Sequence, residues 1–499
     1  MADSQTVVVP ARPASGGLLG RWLGGLRLAY LPVLLTYFCY GASIVTGVAM
    51  LYFEKDALGL TPAEAAGVAF WVGLPWSMKM VAGVGSDAYP IFGSRRGAYL
   101  LLGTLCSLVG YAALATTVSS RGMYLAMSVL ITVGFMVQDV VADALSVEIA
   151  ETDEELGHIQ TLGRMALLAG GISVGYLSGV LAGWLGARGT FAVAMLLPLL
   201  VAMSVPFVRS RSRRAPTAAA AAGPLAGGRA RLVLLVGLAY AAFGVALELF
   251  RVPLSREIAL VVSGGMIGLL LRRVGISRSV AVAAIVIFLF RATPIVGQGY
   301  SYWAIDRLGF DQQFLGLLAQ VSSVLGLVGL LVFRKTIVRR PVSFTLFWVM
   351  IASAVLYLPT IGLFYGLHDW LGVSARTLAF IDTTISAPLA QLAMVPMLIL
   401  IAKAAPPGAE ATMFAIMASL MNLALSASQL FTEYLNEGFA VTQADYSGLG
   451  RLMITVGLIG LVPLLALPLL RREEQRMAAE RADTAEGGTE ANGPSSGAG

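Results

Sequence analysis

The stretch LPWSMKMVAGVGSDAYPIFGSRRGAY, residues 74–99, decides the fold that this sequence predicts. It begins as an apolar run of helical length, carries a lysine at position 79, and ends in a short loop with Asp87, Arg95 and Arg96. The chain is 57% hydrophobic and 12% charged, so a run of this kind belongs in lipid. Ionisable groups inside membrane helices are costly and usually functional, which makes Lys79 a candidate site residue and the loop a candidate gate. The alternative is a tight turn whose arginines simply anchor it at the cytosolic face.

Apolar segments long enough to cross a bilayer recur along the chain, which predicts an all-α, multi-pass membrane protein without a soluble domain. Twelve segments form the predicted core, six on each side of a linker: 30–53, 63–85, 98–118, 123–149, 163–186, 190–208, 279–303, 313–333, 342–366, 376–402, 409–434 and 450–470. Two further apolar runs, 232–250 and 257–271, form an inserted pair and bring the expected total to about 14 membrane segments.

The same pattern predicts six parts of the chain. They are a cytosolic tail, a six-helix bundle, a cytosolic linker, the inserted helix pair, a second six-helix bundle and a disordered cytosolic tail, at 1–28, 29–208, 209–231, 232–272, 273–471 and 472–499. Arginine and lysine accumulate in alternate loops, and the positive-inside rule then places both termini in the cytosol. The N-terminal segment lacks a small-residue cleavage site after a short apolar core, so it is not predicted to be a signal peptide.

Five charged residues are expected to form a cluster in the first bundle. Asp139 and Asp143 are four residues apart in the fourth span and therefore share a helical face, at a depth similar to that of Lys79. Glu148 follows in the same span, and Arg164 enters the fifth span from the same side. Two acids in one site bind a proton more readily than one, which points to proton coupling by Asp139 and Asp143. A static ion network that holds helices together is the alternative, above all for Glu148 and Arg164.

Arg291 is the candidate substrate-binding cation of the second bundle. It lies about thirteen residues after the cytosolic boundary, near the middle of a ~30 Å apolar layer. Gln298 follows seven residues later on the same predicted face, and the intervening Pro294 and Gly297 can release backbone carbonyls toward a cavity. The aromatic residues after Gln298 are interpreted as an interfacial belt in preference to a stacking site, namely Tyr300, Tyr302 and Trp303.

The eleventh core span presents one polar face. Its members are spaced by four, three and four residues: Asn422, Ser426, Gln429 and Glu433. Such a face either lines water or hydrogen-bonds to neighbouring helices, and we interpret it as cavity lining, with Asn422 and Gln429 as candidate substrate contacts.

Four glycines in the fifth span recur at intervals of four residues: Gly171, Gly175, Gly179 and Gly183. Small residues at this interval let two helix backbones approach closely, so the stripe predicts a helix–helix interface, either moving or static.

Several other functions are not supported by the residue content. Cys39 and Cys106 both fall in apolar runs, so neither a disulfide framework nor a metal cluster is predicted. His158 and His368 lie in loops on opposite sides, which disfavours a metal site or a serine–histidine enzyme. The net charge of +6 is explained by loop arginines and not by nucleic-acid binding. No enzymatic activity and no cofactor are expected.

The chain resembles the folate-biopterin transporter family, a branch of the major facilitator superfamily. The resemblance rests on the 74–99 stretch, on the segment from Phe288, FLFRATPIVGQGYSYWAIDRLGF, and on 422–435. Met80 departs from the family pattern, which favours a proline after the lysine. The resemblance implies two six-helix bundles that move a folate- or pterin-like solute by alternating access, and the expected partners are the solute, protons and the lipid bilayer. It also implies a monomeric symporter in a plasma membrane, expected to be a bacterial inner membrane.

Two alternatives remain open at this point. One is a transporter of another solute, such as a sugar, a cell-wall fragment or a drug, because one fold carries many substrates. The other is a non-transporting membrane assembly factor, in which the charged cluster is structural. For the gate we expect Asp87 to meet the positive N-terminal end of the eleventh core span, Pro406 to Ala411, as a latch. Arg95, Arg96, Glu148 and Arg164 are the other predicted gating residues.

Overall fold

The computed structural model describes residues 27–208, 228–250, 252–390, 392, 394–405 and 410–490, and in these ranges the chain is built from helices. We number them α1 to α16: Leu28–Ala57, 62–88, Gly97–Thr116, Arg121–Ile149, Asp153–Ala194, Leu196–Ser204, Gly228–Leu249, Ser255–Val274, Arg278–Arg291, Gln298–Leu308, Gln312–Arg339, Val342–Phe364, Ala375–Ala404, Glu410–Gly438, Leu449–Ile459 and Leu467–Glu490. Residues 1–26 of the predicted N-terminal tail and residues 209–227 of the predicted linker lie outside the described residues.

Ten helical stretches of the described chain are long and apolar enough to cross a membrane. The sequence predicted about 14 segments, and the difference has identifiable causes. The stretch Glu154–Phe207 is 54 residues long, and it contains a non-helical residue, Gly186, at φ 66° and ψ −178° that joins two helices. The helix at 62–88 and the pair α9 and α10 are each interrupted, and α8 is not among the ten.

Two interruptions of helical structure have a local cause in the sequence. In α2, Thr61 and Glu64 form a capping box at the start, and Pro75 lies in a 3₁₀ turn, Leu74–Met78, that interrupts the helix before Lys79. Between α9 and α10 the chain leaves the helix for residues 292–297, where Pro294 lacks an N–H and Gly297 has φ 67°.

The helices before and after the linker form two sets that pack along two main seams. In one seam α2 lies against α14, and in the other α5 lies against α11. The glycine stripe forms part of the second seam: a Cβ at Gly175 would lie 2.8 Å from Gln320 Cα, and Gly179 and Gly316 face each other. This close approach confirms the predicted helix–helix interface.

The inserted pair, α7 and α8, spans both sets. Helix α7 packs on α2, where Gly237 lies against Val81, and α8 packs on α14. An ion pair between Arg256 and Glu433 ties α8 to α14, and Glu433 is only 3% exposed. The two inserted helices contact each other through Tyr240 and Ser263.

The C-terminal helix α16 binds the start of two other helices. Glu473 accepts a hydrogen bond from Ser279 at 2.6 Å at the start of α9, and Glu474 accepts one from the Val342 N–H at 2.7 Å at the start of α12. Carboxylates placed at helix N-termini are stabilised by the unpaired N–H groups. The segment predicted as a disordered tail is therefore helical as far as Glu490, and residues 491–499 lie outside the described residues.

Candidate functional site

The structure brings Lys79 to the two acids of α4. Its Nζ lies 2.7 Å from Asp139 Oδ2 and 3.1 Å from Asp143 Oδ2, and the Tyr37 hydroxyl donates to the other oxygen of Asp143. The 3₁₀ turn before Lys79 and the i,i+4 spacing of the acids place all three groups together. One ammonium between two carboxylates leaves a net charge of −1 when all are ionised. The group can therefore accept a proton or a hydrogen-bond donor from a ligand.

Arg96 forms a second, separate cluster and does not face water. It is 6% exposed, and its guanidinium binds Glu148 (Nε to Oε1, 2.8 Å), Ser86 (2.9 Å) and Asp87 (2.7 Å). The arginine thus joins the ends of α2 and α4 at the start of α3. The prediction that Glu148 belongs to the Lys79 cluster is wrong, because this carboxylate accepts its hydrogen bonds from Arg96.

Asp87 has a different partner in the structure from the one that the predicted latch requires. Asp87 pairs with Arg96 of its own helix set, and residues 406–409, part of its expected partner, lie outside the described residues. Arg95 is exposed, as its assignment to a loop predicts. Arg164 is also exposed and makes no ion pair or hydrogen bond with any described residue, but its charge acts on Asp139 and Tyr37 from the edge of the Lys79 cluster.

Arg291 ends α9 at the edge of the unwound segment. Its side chain is partly buried, its Nε is buried without a hydrogen-bond partner, and among described residues it forms no ion pair. Burying a guanidinium without an anion is unfavourable, so this position favours the arrival of a carboxylate or phosphate.

The free backbone of the unwound segment is satisfied by a face of α14 that the sequence analysis did not single out. Thr432 accepts from the Ile295 N–H at 3.0 Å, and two further side chains donate to carbonyls: Ser428 to Thr293 at 2.6 Å and Asn436 to Val296 at 3.1 Å. The spacing of four residues in Ser428, Thr432 and Asn436 was the available signal. This face positions Arg291 by fixing the chain that follows it.

The contacts of α14 indicate how far along this helix Arg291 lies from the first helix set. Ala292 clusters with Ala424 and Ala427, and the Asn422 side chain donates to the Trp76 carbonyl at 3.1 Å. Ala424 and Ala427 lie two and five residues after Asn422, about 3 and 8 Å along the helix axis, so Arg291 and Trp76 lie within about two helical turns of each other along α14. Gln429 is partly buried and makes no hydrogen bond with a described residue.

Aromatic rings adjoin the acids at this level. The Trp76 ring lies 5.2 Å from that of Tyr40, which lies 6.2 Å from Phe135. These rings come from α2, α1 and α4, and Phe135 is one helical turn from Asp139. Flat aromatic ligands stack on such surfaces.

Other predicted lining residues have different roles. Glu433 is bound to Arg256 of the inserted pair, so this end of the polar face of α14 is an ion-pair contact and does not line a cavity. Tyr302 and Trp303 are 0% and 7% exposed and belong to the core of the second set, which contradicts the predicted interfacial belt. Both side chains lie on the side of α10 that packs against other helices, and the aromatic composition of the segment does not indicate which side that is.

Gln298 and a buried acid that the sequence analysis missed connect the two sets at one end. Gln298 Nε2 donates to Glu54 Oε2 at 3.3 Å, and the Tyr124 hydroxyl donates to Glu54 Oε1 at 2.8 Å. Beside them Lys55 pairs with Asp306 across the same seam at 2.7 Å. We call this region, Glu54, Lys55, Gln298 and Asp306, the closed end. Its acid was overlooked because the sequence FEKDA, 53–57, has the charge density of a loop.

Contacts between the two sets concentrate toward the closed end. Gln443 donates to the carbonyls of Lys55 and Leu60 at 3.1 and 3.0 Å, and Tyr52 donates to the Phe310 carbonyl at 3.1 Å. Beyond the hydrogen bond from Asn422 to Trp76, no hydrogen bond or ion pair between described residues joins residues 77–87 to the second set. The Lys79 group and Arg291 thus lie on the less bridged side.

Residues 41–487 match the BT1 family. A folate-biopterin transporter from Synechocystis sp. is 30% identical over 442 residues, which cover 88% of this chain and 81% of that protein. Folate transporter 2 of Plasmodium falciparum is 22% identical, with 90% of this chain and 89% of that protein covered. Probable folate-biopterin transporter 4 of Arabidopsis thaliana is 24% identical, with 91% and 98% covered.

Solved structures of transporters share the fold. A POT family transporter in complex with 5-aminolevulinic acid superposes with a TM-score of 0.63 at 14% identity, covering 91% of this chain and 98% of that one. A bacterial homologue of the lysosomal transporter Spinster, in an inward-facing conformation, gives 0.62 at 13% identity, covering 89% and 96%. At these identities the likeness concerns the fold alone.

Proposed function

The chain belongs to the BT1 family of membrane transporters, which are not enzymes, and from this premise we propose that it moves a folate- or pterin-like solute by alternating access. It is a multi-pass membrane protein. We further propose twelve core spans in two six-helix bundles, 29–208 and 273–471, with the inserted pair as two more, and both termini in the cytosol of a bacterial cell. The observation that carries the proposal is the unpaired, partly buried Arg291 in a chain that also places two acids beside aromatic rings, and the similar proteins are named folate or folate-biopterin transporters.

Arg291 is the proposed ligand of the solute's carboxylate. A folate-like molecule is anionic at one end, and a guanidinium without a protein counter-ion binds such a group by paired, charge-assisted hydrogen bonds. Asn422 and Gln429 of α14, seven residues or about 10 Å apart along that helix, supply neutral polar contacts on either side of Ala424. The fixed backbone at 292–297 keeps the arginine in place before the solute arrives, which lowers the ordering cost of binding.

The opposite side of the site suits a flat, hydrogen-bonding ring. Tyr40 and Trp76 offer stacking surfaces, and Asp139 or Asp143 can accept hydrogen bonds from amino groups at the edge of a pterin. Lys79 holds the two acids in place. A sugar lacks both the flat ring and the anionic tail, so this combination of groups favours the pterin-like class.

Uptake by Arg291→Ala and Arg291→Lys in proteoliposomes tests the assignment. We expect Arg291→Ala to lower kcat/KM for radiolabelled folate at least tenfold, because a charge-assisted pair contributes about 1.5–3 kcal/mol. Arg291→Lys should retain part of the activity, since it keeps charge without the planar fork. Arg307→Ala, an exposed arginine on α10, is the matched control. Unchanged kinetics in a folded Arg291→Ala protein would contradict the proposal.

A thermal-shift screen of the purified protein separates solute classes. Folates, pterins, sugars, amino acids and cell-wall fragments are compared at equal concentration, and stabilisation follows affinity through ligand linkage. We expect shifts with folates and pterins that disappear in Arg291→Ala. A shift with sugars or cell-wall fragments alone would assign the protein to another solute, and binding without uptake would support a scaffold.

Proton coupling is proposed at the Lys79 group. Because Lys79 neutralises only one of the two acids, a single proton can shuttle on Asp139 or Asp143 as the solute and the lysine compete for them. Asp143 is the better exposed of the two, with 42% of its side chain accessible against 10% for Asp139. Asp143→Asn should abolish accumulation against a gradient yet leave solute exchange intact. Full concentrative uptake by this variant would rule out the assignment.

A further inference from the structure

Glu54 is a buried acid without a cation. It is 8% exposed at the end of α1, where α4 and α10 meet it, and its two oxygens accept hydrogen bonds from Tyr124 and Gln298. No lysine, arginine or histidine nitrogen of a described residue forms an ion pair with it within 4.0 Å. Tyr124 belongs to the same helix set as Glu54, whereas Gln298 belongs to the other. The carboxyl therefore lies in the seam between the sets.

The other charged and titratable groups around Glu54 are engaged elsewhere or neutral. They are Lys55, bound to Asp306 at 2.7 Å and to Asp56 at 3.2 Å; Glu64, bound to Arg121 at 3.0 Å; Arg188, bound to the Val118 carbonyl at 2.7 Å and placed over the Phe53 ring at 5.5 Å; and Tyr302, whose buried hydroxyl has no hydrogen-bond partner. Lys55 is the nearest cation along the chain, but Asp306 and Asp56 already balance it.

We infer that Glu54 binds a proton when the closed end is shut and releases it when this end opens. An ionised carboxylate excluded from water costs several kcal/mol unless a cation compensates it. A protonated carboxyl carries no such penalty, and opening the seam lets water solvate the ionised form. Proton binding therefore stabilises the shut state, and proton release stabilises the open one.

The two partners of Glu54 suit both protonation states. A tyrosine hydroxyl either donates or accepts, and a glutamine amide presents its N–H₂ or, after rotation, its carbonyl. The shut state can thus keep hydrogen bonds to Tyr124 and Gln298 whether or not the proton is present. The hydrogen bonds to the ionised carboxylate are the stronger ones and offset part of its burial cost, and the remaining cost of the buried charge still distinguishes the two states.

This inference rests on the alternating access proposed above, but its test needs no solute. Spin labels are placed at two exposed positions on opposite sets, Ser119→Cys and Asp369→Cys, in a background in which Cys39 and Cys106 are alanine. The distance distribution of the purified full-length protein in nanodiscs is then measured from pH 5 to 9. Failure of folate uptake would leave this measurement untouched, so the two proposals fail separately.

We expect the ratio of open to shut protein to rise with pH by up to about tenfold per unit, the limit for one proton. Glu54→Gln should remove this dependence and hold the closed end shut, because the amide mimics the protonated acid. Asp445→Asn, a change at an exposed acid of a loop on the same side, should behave as the wild type. A Glu54→Gln protein with the wild-type pH dependence would overturn the inference.

Tyr124→Phe gives a second, independent measurement in case Glu54→Gln does not fold. It removes one hydrogen bond that stabilises the ionised carboxylate, so the midpoint of opening should move to higher pH. A midpoint equal to that of the wild type would also overturn the inference. Size-exclusion profiles establish that each variant is folded.

Discussion

The seam between α5 and α11 depends on an absent side chain at Gly175. A Cβ at this position would lie 2.6 Å from Gln320 Oε1 and 2.8 Å from Gln320 Cα, against 3.4 Å for an ordinary contact. The Gln320 side chain accepts a hydrogen bond from the Tyr176 N–H at 3.0 Å, so it is not free to rotate away without a loss. Gly175→Ala must therefore separate the two helices by about 0.6 Å, the difference between these contact distances.

The magnitude follows from two opposing effects. Overpacking a close interface costs about 1–3 kcal/mol, whereas alanine in place of glycine in a helix contributes about 0.5–1 kcal/mol of stability. Gly183→Ala in the same stripe is the matched control, because its nearest neighbour is 3.9 Å away and only the second effect applies. Thermal unfolding in detergent, followed by tryptophan fluorescence, should show Gly175→Ala less stable and Gly183→Ala equal to or above the wild type. Equal shifts for the two variants would refute the close-packing argument.

Two further changes probe the inserted pair and the C-terminal helix. Arg256→Met should lower the unfolding free energy by about 3 kcal/mol because it leaves Glu433 buried without its cation, and adding Glu433→Leu should restore much of the loss; a single variant as stable as the wild type in the same unfolding assay would contradict the role of the pair. Glu474→Ala removes the carboxylate that accepts from the Val342 N–H and should cost about 1 kcal/mol, measured as faster amide exchange at the start of α12, whereas Glu437→Ala, at an exposed position of α14, should leave that exchange unchanged.

Sequence patterns predicted groups whose partners lie at matched depths on long helices. Asp139, Asp143 and Lys79 came together because an i,i+4 spacing and a helical rise per residue fix both face and depth. The glycine stripe was predictable for the same reason. A repeat of four residues places the glycines on one helical face, and small residues on one face let another helix pack closely.

The errors arose where a loop or a helix end decides the geometry. Arg96 has the sequence context of a surface anchor, and only the fold of the 89–95 loop turns it inward to Glu148. Glu54 was missed because its neighbours are charged, although burial depends on what covers a residue and not on the residue beside it. Asn436 and its face of α14 were predictable only together with the unwound segment that needs them, which requires the two helices to be placed first.

The inserted hairpin also limits how far the molecule can open. Helix α7 is held on α2 and α8 on α14, and these two host helices belong to different sets. The connection between α7 and α8 comprises five residues, 250–254, which extend to at most about 17 Å. As long as both attachments persist, α2 and α14 cannot move apart by more than the extended length of this connection allows. The length of this connection thus limits the separation of α2 and α14. Lengthening it by a few glycines would allow a larger separation without changing any residue proposed to contact the solute.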